Sequence, residues 1–194
     1  MNLGIPLKAI VAAAGLALLS LPAAGDYEDG VNAALSGDFE TAFREFTIAA
    51  EEGLDLAQYN LGILYFTGQG VEQDYEQAFR WTEAAALQGH AAAQLNLGSL
   101  YYFGNGVPED RGQAVEWYGN SARAGNAAAA YTLAEMYRDG DHVDRDPVLA
   151  HAWAAWAARY DHPEAGALME ELENRMRPEQ LSEARRTFAR WQIQ

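Results

Sequence analysis

The amino-acid sequence predicts an all-α fold in which a helical repeat stacks on itself as a solenoid. One observation is a fixed period: a pattern of alanine, leucine, glycine, tyrosine and tryptophan that starts at Ala57 returns 36 residues later at Ala93, and again at Ala129. A second is that apolar letters inside each copy recur at i, i+4 and i+8, the spacing of one helix face. A third is that glycine and aspartate separate two such segments in every copy. These features predict a single solenoid domain over residues 26–194, with repeats at 55–90, 91–126 and 127–162.

The chain is strongly acidic. Its 194 residues include 28 acidic and 13 basic side chains, a formal net charge of -15. Such a surface repels phosphate groups, so we expect no nucleic-acid binding and no attachment to anionic membranes, and a partner with a basic surface is favoured. The charge is uneven: residues 26–56 hold nine acids and one arginine, whereas residues 163–194 hold six acids and five arginines. Because cysteine is absent, disulfides, thiolate metal sites and cysteine nucleophiles are excluded.

Residues 1–25 have the pattern of a secretory signal peptide. One cation precedes an apolar run from Ala9 to Leu21, and the small residues Ala23 and Gly25 suit a cleavage site. The alternative is a membrane anchor, but this apolar run is short for a bilayer, which needs about 20 residues. We therefore expect cleavage before Asp26 and a periplasmic or secreted protein that is not inserted in a membrane.

Residues 26–54 are predicted to form an N-terminal half-repeat that caps the solenoid. Their aspartate, alanine and glycine letters match those of the first copy 36 residues further on, which places the second helix of a repeat here. A short helix at Tyr27–Leu35 precedes it without the full pattern. Terminal repeats are expected to be atypical because one face meets water. The matched positions are Asp38, Ala42, Ala49 and Gly53.

The first helix of each repeat, helix A, carries the apolar stripe. It is predicted at Leu56–Phe66, Ala92–Phe103 and Ala128–Arg138. Gly62 and Gly98 stand in its middle, where glycine costs about 1 kcal/mol relative to alanine, and the third copy has Ala134 there. A position limited to glycine or alanine indicates that another helix approaches closely.

A glycine turn follows helix A, at Gly68–Gly70 and at Gly104–Gly106. A phosphate-binding loop needs a strand before it and a helix directly after it, and neither context is present. The glycines are instead expected to adopt positive φ angles, which glycine tolerates best.

The second helix of each repeat, helix B, begins at an aspartate. Asp74 and Asp110 have glutamine three residues later, an arrangement typical of a helix cap, and Asp146 is followed by Pro147, which suits the first turn. These aspartates are interpreted as N-caps rather than as catalytic acids. Tryptophans on the same helices are interpreted as packing contacts between repeats, with a ligand-binding aromatic box as the alternative: Trp81, Trp117 and Trp153.

Residues 163–194 are predicted to form a C-terminal cap of two helices. The first spans Pro163–Met176, and the second starts at Pro178. On the second helix, four apolar residues are expected to face inward and three arginines to face solvent. They are Leu181, Ala184, Phe188 and Trp191 inward, and Arg185, Arg186 and Arg190 outward.

The first copy reads AQYNLGILYFTGQGVEQDYEQAFRWTEAAALQG and resembles a unit of the Sel-one-like repeat family, which is related to tetratricopeptide repeats. The second copy departs where two alanines are usual, and the third departs at Ala134, His142 and Asp161. Both ends of the chain also resemble those of exported bacterial members. The resemblance implies a right-handed α/α superhelix whose A helices line the concave face. It also implies a scaffold or adaptor for other proteins, tied in some exported members to envelope signalling, and no single reaction.

The sequence contains no catalytic constellation, and we expect no enzyme activity, no cofactor and no metal site. The serines lack the GxSxG context of a hydrolase nucleophile, and the four histidines form no HExxH pair. The closest metal candidate is the acidic loop 139–146, because alternating carboxylates suit Ca²⁺. Its spacing is not that of an EF-hand loop, and Asp146 already serves as a cap, so a solvated loop is the favoured interpretation.

Residues beside the core stripe of helix A form the candidate partner-binding surface. They recur at the same register in successive copies, so in a solenoid they form a ladder of side chains along the groove. An asparagine amide can hydrogen-bond the backbone of an extended partner. Alternatively, Asn60 and Asn96 form hydrogen bonds with neighbouring helices within the array. The sequence leaves both interpretations open. The candidate residues are Asn60, Ile63, Thr67, Asn96, Ser99, Phe103, Thr132 and Glu135.

The favoured hypothesis is an exported scaffold or adaptor that binds a protein or peptide on the concave face of the array, with a role in envelope signalling. The alternative is a cell-envelope hydrolase that acts on peptidoglycan or a related polymer. That alternative needs a convergent acid pair or an activated nucleophile. A regulator that masks the sensor part of a membrane kinase is a special case of the first hypothesis. The sequence does not indicate an oligomeric state.

Overall fold

The structure is a computed structural model that describes residues 24–193, and within that range it contains ten helices and no strand. The predicted all-α fold is therefore confirmed for these residues. The predicted signal peptide lies outside the described residues, except that its last two positions begin the first helix. The helices are α1 (Ala24–Ser36), α2 (Phe39–Glu51), α3 (Asp55–Thr67), α4 (Tyr75–Leu87), α5 (Ala91–Phe103), α6 (Arg111–Arg123), α7 (Ala127–Asp139), α8 (Pro147–Arg159), α9 (Ala165–Glu173) and α10 (Pro178–Trp191).

The helices belong to two compact units, the first ending at Asp110 and the second starting at Arg111. In the first unit, helices α1 to α5 pack against one another in chain order. In the second unit, α6 packs on α7 and α7 on α8, and α8 also contacts both α9 and α10. Packing between neighbours in the chain is the contact pattern of a helical repeat solenoid.

A fully buried alanine stands near the start of each A helix. Ala57, Ala93 and Ala129 are all 0% exposed, and a side chain this small lets neighbouring backbones approach closely. Ala165 comes 36 residues after Ala129 and is also 0% exposed. The first helix of the C-terminal cap, α9, therefore continues the register of helix A, although the rest of its sequence has lost the repeated letters.

Gly62 lets α3 and α4 approach closely, as the sequence predicts. A Cβ atom added at Gly62 would lie 2.6 Å from Oγ1 of Thr82 and 3.3 Å from the carbonyl oxygen of Ala78. Thr82 is itself buried on α4, so its side chain cannot turn out to solvent. The position therefore tolerates no side chain larger than hydrogen without a shift of the helices.

Two of the glycine turns rest on the start of an earlier B helix. Gly70 and Gly106 have φ angles of 72° and 73°, so the predicted positive φ angles are confirmed. A Cβ atom at Gly70 would overlap the carbonyl group of Phe39, the first residue of α2, and one at Gly106 would overlap that of Tyr75, the first residue of α4. Glycine is thus required both by the backbone angle and by a backbone-to-backbone contact. In the third copy, His142 takes up this conformation with φ of 57°.

Aspartates start the B helices in the predicted way. Oδ1 of Asp74 accepts hydrogen bonds from the N–H groups of Glu76 and Gln77, at 2.9 and 3.0 Å. Asp146 makes the same pair of bonds at the start of α8, at 2.8 and 3.0 Å. The interpretation of these two carboxylates as N-caps is confirmed.

The last helix, α10, covers an aromatic cluster in the second unit. The rings of Trp153 and Trp191 lie 4.3 Å apart, and Trp156 packs edge-on against Trp191 and Phe188. The indole N–H of Trp156 donates to the carbonyl oxygen of Ala122 at 2.8 Å, so its polar atom is satisfied in the core. The three arginines predicted to face solvent are exposed: Arg185, Arg186 and Arg190.

We expect Gly106→Ala to lower the free energy of unfolding by about 3 kcal/mol, because the new methyl group meets a backbone carbonyl and alanine is strained at positive φ. The matched control is Gly89→Ala. Gly89 has φ of 90° but nothing within 4 Å of its Cβ position, so only the strain of about 1 kcal/mol applies. Urea unfolding followed by circular dichroism measures both. Equal losses would show that the backbone contact contributes nothing.

We expect His142→Gly to raise the free energy of unfolding by about 0.5–1 kcal/mol. Glycine adopts the left-handed backbone conformation at this position without the strain that histidine has. The higher conformational entropy of the unfolded glycine variant offsets part of this gain in stability. Asp144→Gly, two residues on at an exposed position without positive φ, is expected to lower stability instead. Thermal unfolding of the two variants tests the sign, and a loss in His142→Gly would contradict it.

Candidate functional site

A small cleft of about 10 Å³ lies between α3 and α5 in the first unit, and we call it the α3/α5 groove. Buried Thr82 of α4 contributes to its wall. Three of the predicted site residues, Ile63, Asn96 and Ser99, line it together. Phe103 continues the face of Asn96 and Ser99 along α5 at helical spacing and is 40% exposed. The other lining residues are Gly62, Phe66 and Leu100.

The two candidate asparagines hold tyrosines of neighbouring helices. Asn60 is only 2% exposed, and its Nδ2 donates to the hydroxyl oxygen of Tyr27 on α1 at 3.3 Å. Asn96 hydrogen-bonds the hydroxyl of Tyr59 on α3, and burial raises the pKa of both tyrosines. These are the contacts within the array that the second interpretation of the asparagines expected. Asn96 differs from Asn60 because it also lines the α3/α5 groove.

The hydroxyl groups among the candidates bond to their own helices. Thr67 donates to the carbonyl oxygen of Ile63 at 2.8 Å, and Ser99 donates to that of Leu95 at 3.2 Å. Both hydroxyl groups are therefore already used within the first unit. Of the two, Ser99 lines the α3/α5 groove and Thr67 does not.

Two candidates lie on α7, in the second unit. Thr132 donates to the carbonyl oxygen of Ala128 at 3.0 Å. Glu135 lies 3.4 Å from the guanidinium of Arg138, which also bonds Asp139 at 2.7 Å. The second unit therefore presents an ion-paired surface at this register, where the first unit presents Asn96, Ser99 and Phe103.

His90 is connected to the groove by Tyr59, which contacts both His90 and the groove residue Asn96. The repeated sequence pattern did not predict this role for His90. The ring of His90 stacks on that of Tyr59 at 4.6 Å, and Nδ1 of His90 accepts a hydrogen bond from the N–H of Ala93 at 3.1 Å, which caps α5. Burial lowers the pKa of His90. Because Tyr59 in turn bonds Asn96, the three side chains form a continuous line from the cap to the groove.

A sequence signal for this histidine does exist, and it is a spacing of 31 residues. Tyr59 and His90 have this spacing, and Tyr131 and His162 repeat it in the second unit. The rings of Tyr131 and His162 are 4.2 Å apart and nearly parallel. Because the same tyrosine–histidine spacing occurs twice in the sequence, it could have been used to predict that the two rings stack.

The charge of the first unit is almost entirely negative. Residues 24–110 hold fifteen acidic side chains and two arginines, Arg44 and Arg80. Arg44 lies 2.8 Å from the carboxylate of its neighbour Glu45, which offsets part of its charge. A ligand approaching this unit therefore meets a field that attracts cations and repels anions.

Several carboxylates and one histidine of the second unit are used in the fold. In the loop 139–146, Asp139 is bound by Arg138 and Asp146 caps α8. Among residues 24–193, no group of three or more histidine, aspartate or glutamate side chains is placed to hold a metal ion. Nε2 of His151 lies 3.0 Å from Oε1 of Glu173, but the imidazole is only 2% exposed. A substrate in solution does not reach that ring.

None of the helices in the described part of the chain combines the length and the apolar character needed to cross a bilayer.

Comparisons with known proteins identify the repeat. A model of the Sel1 repeat matches residues 55–90, 91–126 and 127–159. A Sel1 repeat protein from Oxalobacter formigenes is 28% identical to this chain with a TM-score of 0.72, and the match covers 77% of this chain and 62% of that one. A protective antigen of uropathogenic Escherichia coli strains with an SLR fold is 37% identical with a TM-score of 0.69, covering 74% of this chain and 32% of that one. This chain thus spans less than two thirds of either protein. No curated protein matches it.

We expect acidification from pH 7 to pH 5 to weaken the start of α5 through His90. Since burial lowers the folded-state pKa of His90, its contribution to stability is complete above the unfolded-state value of about 6.5 and is lost as pH falls through the folded-state pKa. Protonation removes the Nδ1 acceptor, which costs at most about 1 kcal/mol, the usual loss for an N-cap.

The matched variant is His90→Asn, because Asn126 caps α7 at the same register, with its side chain accepting from the N–H of Ala129 at 3.0 Å. This variant keeps the cap and removes the titration. NMR titration of His90, with urea unfolding at both pH values, is the measurement. An unchanged pH dependence in His90→Asn would show that other groups cause it.

Proposed function

Because the chain belongs to the Sel1 repeat family, whose members generally serve as scaffolds for protein–protein interaction, we propose that it is an exported scaffold or adaptor that binds a protein or peptide partner at the α3/α5 groove. The proposed contact is made by Asn96, Ser99 and Phe103, with Phe66 beside them, while Ile63 is only 3% exposed and lies beneath this surface. Export is supported by the signal-peptide pattern of residues 1–25, and a role in envelope signalling is part of the proposal.

The exposed side chain of Phe103 beside the groove is the observation that best supports partner binding at this place. Phe103 is 40% exposed at the end of a face whose neighbours, Asn96 and Ser99, line a groove with an apolar wall. A large aromatic side chain at the rim of a concave apolar surface is typical of a partner-binding site. The repeated glycines and the caps at Asp74 and Asp146 are already used by the fold.

The chemistry of the groove suits a peptide backbone with an apolar side chain. Phe66 offers apolar surface at the groove, whereas Ile63 and Leu100 are only 3% and 4% exposed. The Asn96 amide offers hydrogen bonds to backbone groups. Hydrogen bonds to the backbone hold an extended segment without selecting its sequence, whereas the apolar wall selects side chains.

The envelope-hydrolase alternative has no comparable support. It needs an acid–base pair or an activated nucleophile that a substrate can reach. The nearest arrangement among the described residues is His151 with Glu173, and that imidazole is buried. We therefore propose binding rather than turnover.

We expect a photocrosslinking amino acid at position 103 to capture a partner in cells that produce the full-length chain. Position 87 is the control, because Leu87 is 70% exposed but lies on α4, outside the groove lining. Adducts from position 103 and not from position 87 are the expected result, read by mass spectrometry. Equal capture from both positions would contradict the groove assignment.

In the same assay, Asn96→Ala is expected to weaken capture about fivefold, the usual effect of one lost hydrogen bond. Asn96 also bonds Tyr59, so Tyr59→Phe is the matched control. It removes the internal hydrogen bond and leaves the Asn96 amide in place. If both variants weaken capture equally, the effect comes from packing and the proposed contact fails.

A further inference from the structure

We propose that the partner segment bound at the α3/α5 groove is cationic, and that an arginine side chain of the partner lies on the exposed rings of Tyr75 and Phe103. This inference rests on the proposed binding function and names the chemistry of its partner. It is carried by the placement of two aromatic rings at one end of the groove and by the charge of the unit that contains them.

Two exposed aromatic rings stand at the turn end of the groove. Tyr75 and Phe103 are each 40% exposed, and they are the exposed aromatic side chains of the first unit among its described residues. Each is held by a second ring: Tyr75 packs against Phe66 at 5.2 Å, and Phe103 packs against Tyr102 at 4.8 Å. Held rings lose little freedom when a ligand binds, which favours their use as a contact surface.

The backbone brings these rings to the same end. Phe66, the ring partner of Tyr75, lines the α3/α5 groove itself. Phe103 is the last residue of α5, and Gly106, three residues later, rests on the backbone of Tyr75. The turn that follows α5 therefore ties the end of α5 to the start of α4, beside the groove.

The charge around these rings selects a cation. The first unit has fifteen acids against two arginines in residues 24–110, and the exposed carboxylates of Glu72 and Glu76 flank Tyr75 in the chain. The face of an aromatic ring attracts a cation through its quadrupole, and nearby carboxylates add to that attraction. A partner carboxylate or phosphate would meet the opposite field.

Arginine fits this surface better than lysine. Its flat guanidinium stacks on a ring while its edge donates to carboxylates, and it is more weakly hydrated than an ammonium group. The cationic residue would work together with an apolar residue bound against Phe66, which is the partly exposed apolar side chain of the groove lining. From Ser99 to Phe103 the helix rises about 6 Å, a distance that about two residues of extended chain cover. The partner motif is therefore an apolar residue with an arginine two positions away.

The test uses three synthetic peptides whose sequences read the same in both directions, so that binding direction does not matter. They are acetyl-Gly-Arg-Ser-Leu-Ser-Arg-Gly-amide and its versions with both arginines replaced by lysine or by glutamate. Calorimetry or fluorescence anisotropy at low salt is carried out on the full-length chain. The expected order is arginine above lysine, with no binding of the glutamate peptide. Equal binding of the glutamate peptide would overturn the inference.

Aromatic variants test the ring contact. Tyr75→Leu and Phe103→Leu keep apolar surface and remove the ring face, so each is expected to weaken the arginine peptide about fivefold. The matched control is Tyr160→Leu, because Tyr160 is 39% exposed and lies in the second unit. Unchanged circular dichroism shows that the variants are folded. Unchanged affinity in both aromatic variants, or an equal loss in Tyr160→Leu, would overturn the assignment.

Failure of this inference is distinguishable from failure of the proposed function. If Asn96→Ala reduces photocrosslinking while the aromatic variants leave peptide affinity unchanged, the groove binds a partner but not through a cation. A second copy of this chain is the competing occupant, since α10 presents Arg185, Arg186 and Arg190. Sedimentation that shows a dimer displaced by the arginine peptide would assign the groove to self-association and overturn the inference of a separate partner.

Discussion

Close approach of neighbouring helices is the constraint on which the rest of this structure depends. Helix α4 approaches α3 closely at Gly62, which faces Thr82, and the small residues Ala57 and Ala93 are fully buried in the A helices. Burial of small residues brings many backbone and side-chain atoms into contact at once, and the summed dispersion attraction offsets the cost of a mid-helix glycine. The glycine turns obey the same constraint, because Gly70 and Gly106 place backbone directly on backbone.

This constraint separates the residues that build the array from those available for recognition. The alanines, turn glycines, cap aspartates and the Trp153 ring are used in packing, so they recur from copy to copy without specifying a partner. The positions proposed for recognition, Asn96, Ser99 and Phe103, carry other residues in the third copy. The same register carries Thr132 and Glu135 in the second unit, where Arg138 ion-pairs the glutamate. The Sel1 repeat thus supplies a constant frame with variable side chains.

Packing and the candidate site nevertheless share residues in the first unit. Asn96 lines the groove and also holds the hydroxyl of Tyr59, whose ring stacks on the capping His90. Two direct contacts therefore connect the cap of α5 to the groove. Asn60 has a parallel role with Tyr27, but it is buried, and its Oδ1 atom has no hydrogen-bond partner among the described residues. Buried polar contacts of this kind hold one helix register against its neighbour.

Sequence alone determined the repeat, its period, its turns and its caps, because these depend on local backbone preferences and on contacts that recur every 36 residues. Positive φ at Gly70 and the cap at Asp74 follow from chemistry within a few residues of the chain. The burial of Asn60 could not be derived in this way, since its partner Tyr27 stands 33 residues away, outside the repeated register. The position of α9 in the helix A register could not be predicted for a related reason. Ala165 is the buried small residue expected at that register, but the rest of α9 does not carry the repeated pattern. The line from His90 through Tyr59 to Asn96 is made by contacts between α3 and the start of α5. The exposure of Tyr75 and Phe103 depends on how α4 and α5 pack. Only the tertiary structure decides both, because the side chains concerned are distant in the sequence.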